Sequence, residues 1–315
     1  MSTSTNTNTM DSTTNENKTP PPTAAAAAAA HHSSRYELIP VQSTSLLVAY
    51  WRDLETRRQS PAPLIQDEPA RTLLDAFLHA EQRQEYETSP IRSYGLDMVA
   101  LRTRAMDEWL FTKNKNGGEN RQMVNLGAGM CCRPYRLEGL KEVKTKVWEI
   151  DSDLDLLTKK RAVLKEAGYQ THLPVEDASA DLGSEESHLA EVLHKTGFQS
   201  DAQGTDWLAE GLFAYLSPAQ HDKLLRETAD LSATHSRMVA TIAEPALFHF
   251  WDSLGKSSNI PWRELVPVQT ILDRAASYGW VVDRHIGPDD WPNLYPGRGQ
   301  KIPGYRLVFF EKVEK

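Results

Sequence analysis

From residue 122 onward the chain alternates short apolar runs with longer amphipathic ones, and this alternation is what most restricts its fold. Strands are expected at residues 122–126, 146–150, 171–175, 206–213, 238–242, 280–285 and 305–312. Helices are expected between them at 131–140, 154–167, 187–196, 218–232 and 266–278. Repeated strand–helix units predict an α/β fold with a parallel sheet covered on both faces. The last two strands are joined by a loop rich in Gly, Pro and Trp. A strand reached without a crossover helix runs antiparallel to its neighbour, so the final strand is expected to be antiparallel in an otherwise mostly parallel, seven-stranded sheet.

Ligands of such sheets bind at the carboxyl ends of the strands. The first strand ends in Leu126-Gly-Ala-Gly129, where the two glycines turn the chain with no Cβ to keep a ligand from the backbone. With a helix expected to open at Cys131, this is a nucleotide-cofactor cradle. The second strand ends in Trp148-Glu-Ile-Asp151. An acid placed about 20 residues after a glycine turn suits the two hydroxyls of a ribose, although Asp151 or Asp153 also suits the N-cap of the next helix. After the third strand comes Glu176-Asp-Ala-Ser-Ala-Asp-Leu182, an acidic stretch that fits either an adenine contact or a solvated loop. The fourth carries Glu210 inside the apolar run Trp207-Leu-Ala-Glu-Gly-Leu-Phe-Ala-Tyr215. A carboxylate there needs a cationic partner, either a ligand or a buried arginine.

Upstream, helices are expected at 43–58, 70–88 and 95–112, and they read as a cap over residues 35–120 preceding a core at 121–315. Arg102 and Arg104 bring guanidiniums into this cap, suited to a carboxylate ligand or to a solvated helix face. Residues 1–34 are rich in Ser, Thr and Asn, followed by Pro-Pro-Pro and seven alanines, and so lack the apolar surface to fold. His31-His32 could in principle hold a metal, but no further ligand is placed near them, and no metal is expected. The two cysteines, Cys131 and Cys132, are adjacent, which excludes a disulfide framework and fits a reduced, cytoplasmic protein. They are expected to pack rather than to act as nucleophiles. The net charge of -8 and the absence of basic runs argue against nucleic-acid binding. No apolar stretch approaches the roughly 18 residues that cross a bilayer.

Taken together, Val124-Asn-Leu-Gly-Ala-Gly-Met-Cys-Cys-Arg-Pro-Tyr-Arg-Leu137, Trp148-Glu-Ile-Asp151, Trp207-Leu-Ala-Glu-Gly-Leu-Phe-Ala-Tyr-Leu216 and the upstream Leu101-Arg-Thr-Arg-Ala-Met-Asp107 resemble the leucine carboxyl methyltransferase-like family. That family includes protein phosphatase carboxyl methyltransferases and polyketide O-methyltransferases of the tetracenomycin type. The resemblance implies a Rossmann-like methyltransferase sheet with an N-terminal helical cap, and S-adenosylmethionine as cofactor. It further implies that Arg102 binds the cofactor carboxylate, Gly127 and Gly129 form the turn beneath its methionine part, and Asp151 holds the ribose. Asp181 and Leu182 would contact adenine, with Asp177 as a competing alignment, and Glu210 would face the amino group. The family commonly has an acid where this chain has Cys131. The implied reaction is methyl transfer to a hydroxyl or carboxyl oxygen of a small-molecule acceptor, with a protein C-terminal leucine as the alternative. His249 is the expected base for a phenol or enol, with His285 second. A nicotinamide oxidoreductase is disfavoured by Cys132 at the third glycine of G-x-G-x-x-G, and a silent cofactor-binding scaffold is a further alternative.

Overall fold

The computed structural model describes residues 40–114, 117–120, 122–186, 188–200, 204–255 and 261–314. The low-complexity tail and His31-His32 therefore lie outside the described residues. Seven strands form one sheet: β1 (Gln122–Leu126), β2 (Lys146–Asp151), β3 (Val175–Ser179), β4 (Thr205–Ala209), β5 (Arg237–Ala243), β6 (Trp280–Ile286) and β7 (Tyr305–Lys312), in the order β3-β2-β1-β4-β5-β7-β6. β1 is parallel to β2 and β4, while β7 is antiparallel to both β5 and β6, as the missing crossover helix predicted. The connection reverses at β1, whose neighbours are β2 and β4, and that is where a crevice opens above the strand ends.

Alternation along the strands divides the core. Val124, Leu126, Trp148, Ile150, Trp207, Met238 and Phe310 fill one face. The other face presents Asn125, Glu149 and Leu208 in register across β1, β2 and β4. Helix α1 (Pro40–Thr56), α2 (Glu68–Phe77), α3 (Ala80–Thr88) and α4 (Arg92–Leu110) precede the sheet. Trp109 of α4 meets Phe309 of β7, ring centroids 6.1 Å apart, and so anchors the preamble on the sheet.

Several expected elements move, each for a local reason. The third strand begins at Val175, not at 171. Pro174 has no N–H for a ladder; its carbonyl instead accepts from Val147 N at 3.0 Å, and the strand starts beyond it. The fourth ends at Ala209, because Gly211 turns the chain at φ 76° into a single 3-10 turn, Phe213–Tyr215. The helix expected at 70–88 splits at Leu78 and His79. There the Gln82 side-chain oxygen accepts from His79 N at 3.2 Å and starts a second helix. The helix expected at 131–140 is two single turns, α5 (Arg133–Arg136) and α6 (Leu140–Val143). The connections include α7 (Leu154–Glu166), α8 (Leu189–Lys195), α9 (Pro218–Asp230) and α11 (Val268–Ser277). Between α9 and α11 the chain forms an unexpected helix, α10 (Pro245–Ser253), opened by Pro245 at its first position, where a missing N–H costs nothing. A further turn, α12 (Trp291–Leu294), interrupts the last loop. No helix among the described residues is long and apolar enough to cross a membrane.

Candidate active site

A cavity of about 420 Å³ lies above the carboxyl ends of β1, β2, β4 and β5. Its floor is the β1 turn, Gly127–Cys131. Asp151 and Ser152 follow from β2, Asp181 and Leu182 from beyond β3, and Glu210 from beyond β4. Helix α1 forms the roof through Gln42, Ser45, Leu47, Val48, Trp51 and Arg52. This roof is bonded on both sides: Gln42 donates to the Asp153 carboxylate, and the Tyr215 hydroxyl bonds to Thr44 Oγ1 at 3.1 Å.

The turn requires its glycines. Gly127 and Gly129 have φ of 66° and 44°, in the left-handed region. A Cβ on Gly129 would lie 3.0 Å from Ser45 Cβ, and one on Gly127 would lie 3.3 Å from Leu212. Gly129→Ala is therefore expected to cost about 1–2 kcal/mol in urea unfolding through backbone strain. It should also weaken cofactor binding in calorimetry, because Ser45 must be pushed out of contact with the turn. Asp151 holds the turn from β2: Gly129 N–H donates to Oδ2 at 2.8 Å, and Asp153 N–H to Oδ1 at 3.3 Å. The N-cap role falls to Asp153, which accepts from Leu156 N. Beneath, the fully buried Lys160 pairs with Glu149 at 2.9 Å and donates to the Cys131 carbonyl at 3.3 Å.

The polar end of the cavity is built from charges. Glu210 takes Arg102 Nε on one oxygen at 2.8 Å and Arg133 Nη1 on the other at 2.6 Å. Arg133 Nε continues to Asp107 at 2.7 Å, and Asp107 binds Arg136 at 2.6 Å. Arg136 approaches Asp67 at 3.6 Å; Asp67 binds Arg52 at 2.6 Å, and Arg52 donates to the Met130 carbonyl at 2.6 Å. Four guanidiniums (Arg52, Arg102, Arg133, Arg136) thus face three carboxylates (Asp67, Asp107, Glu210), leaving a positive surplus. Burial would raise the Glu210 pKa, but Arg133, Arg102 and Arg52 together hold it well below the usual carboxylate range. Arg102 Nη1 donates to the Tyr305 hydroxyl at 2.9 Å, and burial keeps that phenol protonated.

The structure brings Arg102, Gly127, Gly129, Asp151, Asp181, Leu182 and Glu210 onto one cavity. It does not bring the others there. Asp177 lies within β3 and is held by Arg161 of α7 through both carboxylate oxygens, whereas Asp181, beyond the strand end, lines the cavity. Arg104 is on the exposed face of α4, paired with Glu108 at 2.6 Å. His249 does not reach the site. On α10 the residues facing the cavity are Leu247 and Trp251, one turn apart, which places His249 on the opposite, exposed side. His285, on β6, is also outside the wall; it contacts Arg306 at 3.1 Å, and burial together with that guanidinium lowers its pKa. Cys131 lines the cavity, and its sulfur contacts Arg133 Nη1 at 3.5 Å; burial pushes the Cys132 thiol well up, into its inert form. The α1 residues, Arg133, Asn125 and Tyr305 also line or support the cavity and are not singled out by the sequence. A run of charges within apolar helices (Arg52 and Asp53 after Tyr50-Trp51) was the available signal for the first.

Residues 45–229 match the model of the leucine carboxyl methyltransferase family. The chain belongs to this family. A Mycobacteroides abscessus protein named as an S-adenosyl-L-methionine-dependent methyltransferase is 35% identical over 265 residues, which are 80% of each chain. A Streptomyces coelicolor protein of the same description is 33% identical over 291 residues, 86% of this chain and 92% of the relative. A Thermobifida fusca crystal structure described as a methyltransferase superposes with a TM-score of 0.54 at 15% identity, covering 90% of this chain and 98% of that one, and shares the fold. The protein is thus an S-adenosylmethionine-dependent methyltransferase. The residues present fit that cofactor. A zwitterionic amino-acid end suits a polar pocket that holds both a carboxylate and surplus guanidinium, and a turn without Cβ atoms leaves room beneath it. A one-turn α5 supplies little of the helix dipole that dinucleotide folds use for pyrophosphate.

Proposed function

We propose that the protein transfers the methyl group to an oxygen of a small, largely apolar acceptor, such as a polyketide-like metabolite, in the cytoplasm. The carrying observation is the composition of the cavity: its charged end continues into a wall of Leu47, Val48, Leu247, Trp251 and Trp262. When bound, the cofactor supplies an electrophilic methyl group on a sulfonium. Arg102 binds its carboxylate, Glu210 its ammonium, Asp151 the ribose hydroxyls, and Asp181 with Leu182 the adenine; Gly127 and Gly129 admit the methionine part. Residues 35–120 act as the cap and 121–315 as the core. The α1 roof would exclude water and the apolar wall would position the acceptor, and in such a transfer positioning supplies most of the acceleration.

Among the described residues no histidine lines the cavity. Burial raises the pKa of both Tyr215 and Tyr305, so each stays a neutral phenol and a poor base. Glu210, held ionised by its guanidiniums, is poorer still. This supports an acceptor oxygen that arrives ionised, a carboxylate or an acidic enol or phenol. For a carboxylic acid the rate at saturation is expected to be flat from about pH 6 to 8, because the acceptor is already ionised there. For a series of phenols the midpoint should instead follow the acceptor's own pKa. The test is labelled methyl donor incubated with apolar carboxylic acids, acidic phenols and a peptide ending in leucine. Label in the small acids or phenols supports the reading; label confined to the peptide transfers the assignment to protein carboxyl methylation. Cofactor binding without turnover on any of them points to a binding scaffold.

A further inference from the structure

Resting on the small-acceptor reading, we propose that Arg263 is the acceptor's anion-binding residue, so that the preferred acceptors are apolar molecules bearing a negative charge. Among the described residues six charged side chains line the cavity, and five have partners. Arg52 is paired with Asp67 and Arg102 with Glu210; Asp151 and Asp181 each accept from backbone N–H groups. Arg263 has no carboxylate partner among the described residues. Its backbone is fixed, because its N–H donates to the Ala214 carbonyl at 2.9 Å, in the 3-10 turn that follows Glu210. The preceding Trp262 lies against Phe248 of α10, ring centroids 6.4 Å apart. This places Arg263 in the cavity wall next to Trp262, and among the described residues no ion pair joins it to the charged cluster. A fork of N–H donors next to aromatic rings recognises a carboxylate, sulfonate or acidic enolate on an apolar body. It also favours the ionised form of the acceptor, which a cavity without a histidine base requires.

The test uses two fluorescent probes with the same aromatic body: 1-anilinonaphthalene-8-sulfonate, an anion, and N-phenyl-1-naphthylamine, which is neutral. Binding is titrated on the full chain saturated with S-adenosylhomocysteine, so that the cofactor end is filled. Arg263→Ala is expected to weaken the anionic probe about tenfold or more while leaving the neutral probe unchanged. Arg263→Lys should retain part of the preference. Trp262→Ala should weaken both probes alike. Because Arg263 is exposed, an unchanged thermal midpoint will show that the variant is folded. Equal loss of both probes, or loss of neither, would overturn the assignment. So would weakened S-adenosylhomocysteine binding in Arg263→Ala, which would place the residue in the cofactor site. Failure of the wild type to bind either probe would count against the apolar acceptor pocket itself.

Discussion

Glu210→Gln is expected to lower affinity for S-adenosylmethionine by about 10²-fold or more, the usual scale for removing one partner of a buried charge pair. The amide is the same size, so the loss comes from charge. Without the carboxylate, Arg102 and Arg133 face each other across a buried site, and the proposed partner of the cofactor ammonium is gone. The folded protein should also lose about 3–5 kcal/mol. The pH dependence separates this from a packing defect. The folded pKa of Glu210 is depressed, so its contribution is present above the ordinary carboxylate range and is lost as pH falls through the depressed value. The stability gap between wild type and Glu210→Gln should therefore be full at pH 7 and shrink only in acid, below about pH 4.5. Urea unfolding at pH 7 and pH 3.5, with calorimetric titration of the cofactor at pH 7, measures both effects. A gap independent of pH would show that the Glu210 charge is not the source.

That cluster also shows how far the sequence reaches. Glu210 stands out because a carboxylate inside an apolar run needs a cation, and the structure supplies buried arginines, Arg102 and Arg133, at the cavity. The mostly parallel sheet and the antiparallel β7 followed from which connections contain a helix. What local patterns did not reveal is how a side chain reaches across the fold. Arg133 and Arg136 lie one turn apart in a helix too short to show a periodicity, yet they tie α4 and α2 to the β1 turn through Asp107 and Asp67. The sequence points to His249 only through its place after β5. The helical phase of Leu247 and Trp251 sends it outward, and that phase becomes visible only once Pro245–Ser253 is read as a helix. With the third strand expected at 171–175, Asp177 and Asp181 both fall beyond its end and the sequence does not separate them. Pro174 moves the strand, and with it Asp177 from a strand end to a strand middle.

Lys160→Met carries the second large expected effect, and it acts on the floor of the site. Lys160 and Glu149 are both fully buried, on α7 and β2, and the ammonium also holds the Cys131 carbonyl at the end of the glycine turn. Burial alone raises the Glu149 pKa and Lys160 opposes this; Lys160 is in turn raised by Glu149 in spite of its own burial. Methionine of similar length fills the space but leaves an uncompensated buried carboxylate, a loss of about 3–5 kcal/mol and roughly 10 °C in thermal midpoint. The carboxyl concerned is shifted in the opposite direction to Glu210, although the gap between wild type and variant again closes in acid. A carboxyl whose folded pKa is raised destabilises the folded state above that pKa and ceases to do so once it is protonated. Lys160→Met should thus approach wild-type stability as pH falls toward the ordinary carboxylate range, and diverge most at pH 8. Adding Glu149→Gln should restore most of the loss at pH 8, since replacing both partners removes the buried charge. If the double variant is no more stable than Lys160→Met, the contact with Cys131 is the dominant contribution of Lys160, and the ion pair is secondary to its support of the turn.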